Sequence, residues 1–113
     1  MKLPELNEKQ ITNQILSYLN SVGYYVWRNN SGVATNQDKY GHTRMWRAGI
    51  KGGSDIIGIA PNGKFIAIEV KRPSTKNNVS LLQEVFLKEI KDKGGVAVVA
   101  TSLDDIIHIA NTH

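Results

Sequence analysis

Two apolar runs, "SDIIGIA" (54–60) and "KFIAIEV" (64–70), are joined by "PNG". They constrain this chain more than any other stretch. Both are rich in strand-forming residues, and the polar turn between them reads as a hairpin. "A-P-N-G-K" suits a three-residue loop, with Pro61 at the first turn position, Asn62 at the second and Gly63 at the left-handed bulge position. Ala60 then faces Lys64, and the same register carried down the hairpin sets Asp55 directly opposite Glu69. Lys71, two residues beyond Glu69, shares that face. A two-residue loop would shift the register by one and send Asp55 to the other side. Strands this apolar are expected to be buried, and buried charge is costly unless it is paired or binds a metal.

Opposed side chains on one face have Cβ atoms about 5 Å apart, so Asp55 and Glu69 would repel each other. A divalent cation resolves that conflict. Mg²⁺ takes oxygen ligands, commonly one or two carboxylates with waters and substrate phosphates. A lysine beside it suits orienting or deprotonating a water that attacks phosphorus. A plainer arrangement is also compatible with the spacing: an Asp55–Lys71 salt bridge across the hairpin, with Glu69 in solvent.

The charge distribution adds a second signal. Residues 24–51 hold five cations (Arg28, Lys39, Arg44, Arg47, Lys51) and one anion (Asp38), a net of +4, while the rest of the chain balances to zero. The same window holds Tyr24, Tyr25, Trp27, Tyr40 and Trp46. Basic residues interleaved with aromatics suit phosphate contact and base stacking. A solvated loop with core aromatics has the same composition. The chain has 113 residues, enough for one domain with its own core, and no cysteine. A signal peptide and an 18-residue apolar run are both missing from it, so a membrane role is not expected.

The remaining elements follow from capping and periodicity. Asn7 with Gln10 forms a capping-box pattern ahead of Ile11, Ile15, Leu16, Leu19 and Val22, and Gly23 ends that helix. "YYVWRN" (24–29) reads as a strand, and residues 30–50, polar and aperiodic, as a long loop. Ser80 with Gln83 opens a second helix through Leu82, Val85, Phe86 and Ile90 to Gly94–Gly95. "VAVVAT" (96–101) is continuously apolar and reads as a central strand. Ser102 and Asp105 open a short last helix in which His108 is expected to pack. The predicted order is helix, three strands, helix, strand, helix: an α/β fold with a mixed sheet flanked by helices.

"GSDIIGIAPNGKFIAIEVK", followed by "SLLQEVFLKEIKDKGGVAVVATSLDD", resembles the PD-(D/E)xK nuclease superfamily. More closely it resembles the virus-type replication-repair nuclease (VRR-NUC) domain in its stand-alone form, over nearly the whole of residues 1–113. The matching positions are Asp55 in "KGGSD", Glu69 and Lys71 in "IEVK", Gln83 on the following helix and Glu8 on the first. Ser54 stands where the superfamily has proline.

The resemblance implies a restriction-endonuclease-like core and a Mg²⁺-dependent DNA endonuclease. Mn²⁺ would substitute, and Ca²⁺ would bind without turnover. Asp55, Glu69 and the Val70 carbonyl would hold the metal, and Lys71 would position or activate the water. Gln83 would orient the site, and Glu8 would support a second metal or its waters. Arg28, Arg44, Arg47, Lys51 and Arg72 would contact DNA. The implied substrate is branched DNA, such as a four-way junction, cut by a homodimer in the cytoplasm of a bacterial or virus-infected cell. Two residues have simpler uses as well. Glu8 suits a helix first turn, and Gln83 suits a capping box. A sequence-specific restriction-type enzyme and a non-catalytic DNA-binding protein with the same fold are the alternatives.

Overall fold

The computed structural model describes residues 4–29, 33–37, 43–47 and 53–110. The elements are α1 (Glu8–Ser21), β1 (Tyr25–Arg28), β2 (Val33–Gln37), β3 (Thr43–Arg47), β4 (Ile56–Ile59), β5 (Phe65–Val70), a 3₁₀ turn (Pro73–Thr75), α2 (Leu81–Asp92), β6 (Val96–Ala100) and α3 (Leu103–Ala110). Four strands form a mixed sheet in the order β1-β4-β5-β6, antiparallel except for the parallel β5–β6 pair. The α/β class with a helix-flanked mixed sheet is therefore as expected.

The predicted order needs a correction between β1 and β4. Part of the expected loop pairs as a second, two-stranded antiparallel sheet, with β2 against β3 and Val33 opposite Arg47. "VATNQ" and "TRMWR" lack an alternating apolar face, so only backbone pairing marks them as strands.

Both capping boxes form. Asn7 Oδ1 accepts from the Gln10 N–H at 2.8 Å, and Gln10 Oε1 accepts from the Asn7 N–H at 2.9 Å. The third box forms in half. Ser102 Oγ accepts from the Asp105 N–H at 3.4 Å as expected, but the Asp105 carboxylate accepts from the Thr101 N–H at 2.9 Å, one residue earlier than the full box requires.

The β4–β5 turn follows its sequence. Ala60 N–H donates to Lys64 O at 2.8 Å, and Gly63 N–H to Ala60 O at 2.8 Å. Gly63 has φ +87°, the left-handed conformation that the turn demands. The ladder then runs Ile59↔Phe65, Gly58↔Ile66, Ile57↔Ala67, Ile56↔Ile68, the predicted register.

Each sheet face has its own cover. Ile11, Ile15 and Leu19 of α1 and Ile106 of α3 pack on Val26, Ile56, Ile66, Ile68 and Val70. On the other face Phe86, Leu87 and Ile90 of α2 pack on Ile57, Ala67 and Ala97. Each aliphatic side chain fully buried in this way contributes roughly 1.5–3 kcal/mol. Gly58 lets β1 approach β4. A Cβ there would lie 2.1 Å from Tyr25 O and 2.6 Å from Val26 Cα.

β6 lies at the sheet edge, not the centre. Its continuous apolarity has another source: helices cover both of its faces, with α2 and α3 each in contact with it. Leu82 and Val85 of α2, expected within the packed stripe, are exposed, as is His108.

Candidate active site

The site lies at the end of the β4–β5 hairpin remote from its turn. Carried one step past Ile56↔Ile68, the register places Asp55 opposite Glu69. Asp55 Oδ2 accepts a 2.8 Å hydrogen bond from the Val70 N–H, which draws the peptide after Glu69 against the Asp55 carboxylate. Asp55 itself is tied to β1, because its carbonyl accepts from the Asn29 N–H at 2.8 Å. The Asn29 side-chain amide also donates to Ser54 O at 3.1 Å. Asn29 is thus a positioning residue that the sequence marks only as the end of a strand-forming run.

Glu69 is a carboxylate inside the protein, with 1% of its surface exposed. Oε1 has two partners. Gln83 Nε2 donates to it at 2.8 Å, and Lys71 Nζ lies 3.8 Å away. Oε2 is buried and finds no donor. Burial pushes the Glu69 carboxyl up to about 8 from an ordinary 4.5. The neighbouring Asp55 carboxylate is the next contributor to that rise, Lys71 opposes it, and Glu8 adds a little.

Gln83 makes two contacts through one side-chain amide. Its Oε1 accepts from the Ser80 N–H at 2.9 Å, closing the α2 capping box, while its Nε2 reaches Glu69. The helix cap therefore fixes the donor that holds the buried carboxylate. The Asp55–Lys71 bridge with a solvated Glu69 is not what forms: Glu69 is interior, and Lys71, its side chain 14% exposed, sits beside it.

Glu8 lies in the first turn of α1, exposed, and is close enough to act on Glu69 through its charge. Arg72 leaves β5 directly after Lys71, but Glu5 holds its guanidinium at 2.9 Å. Glu5 also accepts from the Ser74 N–H at 2.8 Å and the Ser74 hydroxyl at 2.9 Å. These contacts, the Ser74 N–H first, hold the Glu5 carboxyl below its usual range. Glu5 was not singled out in the sequence, because a lone acidic residue ahead of a helix carries no spacing signal.

Arg28 is turned to the α1 face, where it donates to Asn13 Oδ1 at 3.2 Å. Arg44 and Arg47 lie on β3, opposite Asn36 and Val33. Lys51 and Tyr40 lie outside the described residues. Ser54, at the superfamily's proline position, is 1% exposed and its hydroxyl has no partner.

No protein-family model matches the chain, and no curated protein matches it.

Among the described residues no three His, Cys, Asp or Glu side chains cluster in a metal-ligand arrangement. Two carboxylates and a main-chain carbonyl suffice for Mg²⁺, which keeps much of its water. The donor set fits such an ion. Asp55 and Glu69 are opposed, both offer oxygen, and the buried Glu69 Oε2 is orphaned. No described helix is long and apolar enough to cross a membrane.

Proposed function

We propose that this chain is a divalent-metal-dependent DNA endonuclease of the PD-(D/E)xK type, built on a restriction-endonuclease-like core of the VRR-NUC kind. The observation that carries the reading is the buried, orphaned Glu69 Oε2 beside Asp55. A protein with no use for a cation there would be more stable with an apolar pair.

Asp55, Glu69 and the Val70 carbonyl would hold Mg²⁺ or Mn²⁺. When bound, the ion supplies positive charge against the negative charge that develops as a phosphodiester is hydrolysed. Lys71 holds an ammonium group 3.8 Å from the Glu69 carboxylate, placed to orient the attacking water and balance charge. Gln83 keeps Glu69 from rotating, and the capping box keeps Gln83 in place. Glu8 adds a further carboxylate at the rim.

The finer reading rests on the resemblance: branched DNA, cut in pairs by a homodimer with two-fold symmetry, in the cytoplasm. Two symmetric nicks need two sites, which a two-fold dimer supplies. Light scattering with a junction-against-duplex competition tests it. A monomer with equal rates on both substrates would remove the junction reading alone.

The nuclease reading itself is tested with supercoiled plasmid. Wild-type protein with Mg²⁺ is expected to nick it. EDTA and Glu69→Ala are each expected to stop cleavage while the protein stays folded. Cleavage by a folded Glu69→Ala protein would overturn the assignment.

A further inference from the structure

The sheet face that carries Asp55 and Glu69 is only half covered. α2 packs on β5 and β6. Over β1 and the turn end of β4 the same face is open. Tyr25 is 71% exposed and Trp27 44%, with Ile59 at 45%. The register fixes which side these residues occupy. Trp27 stands opposite Ile57, and Ile57 opposite Ala67, in the cluster under α2. Tyr25, two residues from Trp27, shares that side, whereas Val26 between them points into the α1 core. Ile57 is likewise two residues from Asp55. Trp27 is therefore one strand across and two residues along from the carboxylate, about 8 Å between Cα atoms by strand geometry.

The two rings form an edge-to-face pair with centroids 5.4 Å apart and planes at 65°. Large exposed rings on a small protein mark a binding surface. Two occupants fit such a surface, a second copy of the chain or the faces of unpaired bases, and charge separates them. Residues 24–51 carry a net +4, and a two-fold contact through β1 would bring two such segments together. A polyanion whose bases stack on the rings has the opposite charge.

We propose that Tyr25 and Trp27 form a stacking platform for unpaired nucleobases of the strand held at the Asp55–Glu69 site. The proposal rests on the phosphodiester-cleaving reading of that site and narrows its substrate to DNA with unstacked nucleotides beside the scissile bond. Tyr24, the neighbouring aromatic, takes no part, since it is 6% exposed and belongs to the core.

The test is anisotropy with labelled oligothymidylate and with a duplex of equal length, in EDTA so that nothing is cut. Tyr25→Ala/Trp27→Ala is expected to weaken oligothymidylate binding by about 5- to 100-fold and duplex binding by less than about twofold. Tyr25→Phe/Trp27→Phe is expected to restore most of the loss, which a folding defect would not allow. Unchanged oligothymidylate affinity in the alanine variant would overturn the platform, as would equal losses on both DNAs. A dimeric wild type that becomes monomeric in the alanine variant, with oligothymidylate affinity intact, would assign the face to a second copy and also overturn it. Plasmid assays run alongside keep the two readings apart. Wild-type cleavage with unchanged affinity in the variant removes the platform only. Ring-dependent binding in a wild type that cuts nothing upholds the platform and removes the nuclease.

Discussion

One sheet face holds two regions treated in opposite ways. Under α2, the chain buries Glu69, a group whose burial is costly. Over β1 and β4, a few ångströms away, it exposes Tyr25, Trp27 and Ile59, groups whose burial would stabilise it. Neither choice favours stability. The other face shows that the chain can follow the usual rule, since Ile56, Ile66, Ile68 and Val70 are all fully buried there beneath α1 and α3. The contrast between the faces separates residues kept for the fold from residues kept for a site.

The largest effects are expected where that contrast is removed at the carboxylates. Asp55→Ala, Glu69→Ala and Lys71→Ala are each expected to lower cleavage by about 10³-fold or more, measured on plasmid under saturating Mg²⁺. DNA affinity is expected to survive in the Asp55 and Glu69 variants, because loss of a carboxylate reduces repulsion of phosphate, and to fall only a few-fold in Lys71→Ala, which removes one cation. A variant that loses cleavage and binding together would mean that the residue holds the fold or the DNA instead.

Stability is expected to move the other way. With the Glu69 carboxyl raised from 4.5 to about 8, the folded protein holds a proton that the unfolded chain has released. The contribution of Glu69 to metal-free stability is therefore most favourable below about pH 4.5, falls as pH rises through that interval, and levels off above about pH 8. Glu69→Gln removes the ionisation while keeping the shape. It is expected to stabilise the metal-free protein at pH 8 by a few kcal/mol and to flatten the slope, as read by urea unfolding between pH 5 and pH 9. An unchanged slope in that variant would show that Glu69 is not the group titrating.

A backbone change tests whether β1 owes its place to one residue. Gly58→Val would drive a side chain into Tyr25 O and Val26. It is expected to cost about 2 kcal/mol or more and to displace β1 with both of its exposed rings. Near-wild-type stability would mean that β1 shifts freely.

Much of this was legible in the sequence because local chemistry fixed it. "PNG" selects one turn, the turn selects one register, and the register opposes Asp55 to Glu69. Asn7–Gln10 and Ser80–Gln83 announced two helix starts, and the second of these also placed the Gln83 donor. The rest depended on partners distant in the chain. Nothing in "VATNQ" or "TRMWR" says that they pair, since neither sequence alternates apolar and polar residues. The apolarity of β6 could not tell two-sided cover from a central position. Leu82 and Val85 fit the helical stripe, yet no strand lies under them. The Arg72 clasp needed Glu5, sixty-seven residues away.

The smallest expected effects concern the cations. Arg44→Ala/Arg47→Ala is expected to weaken binding to all DNA sequences alike and to reduce the salt slope by about two. Arg28→Ala is expected to change the slope less than Arg44→Ala or Arg47→Ala alone, because its guanidinium is turned to Asn13 on the α1 face. A slope that Arg28 controls and Arg44 and Arg47 do not would move the DNA path to the α1 side.

The central claim is that Asp55 and Glu69 are opposed in order to hold a cation. Mn²⁺ titration at pH 7.5, followed by loss of the free-ion electron paramagnetic resonance signal, measures it without DNA or turnover. The account predicts saturable binding by the wild type and its loss in both Asp55→Asn and Glu69→Gln, with each variant as well folded as the parent. Equal Mn²⁺ binding by all three proteins would contradict it.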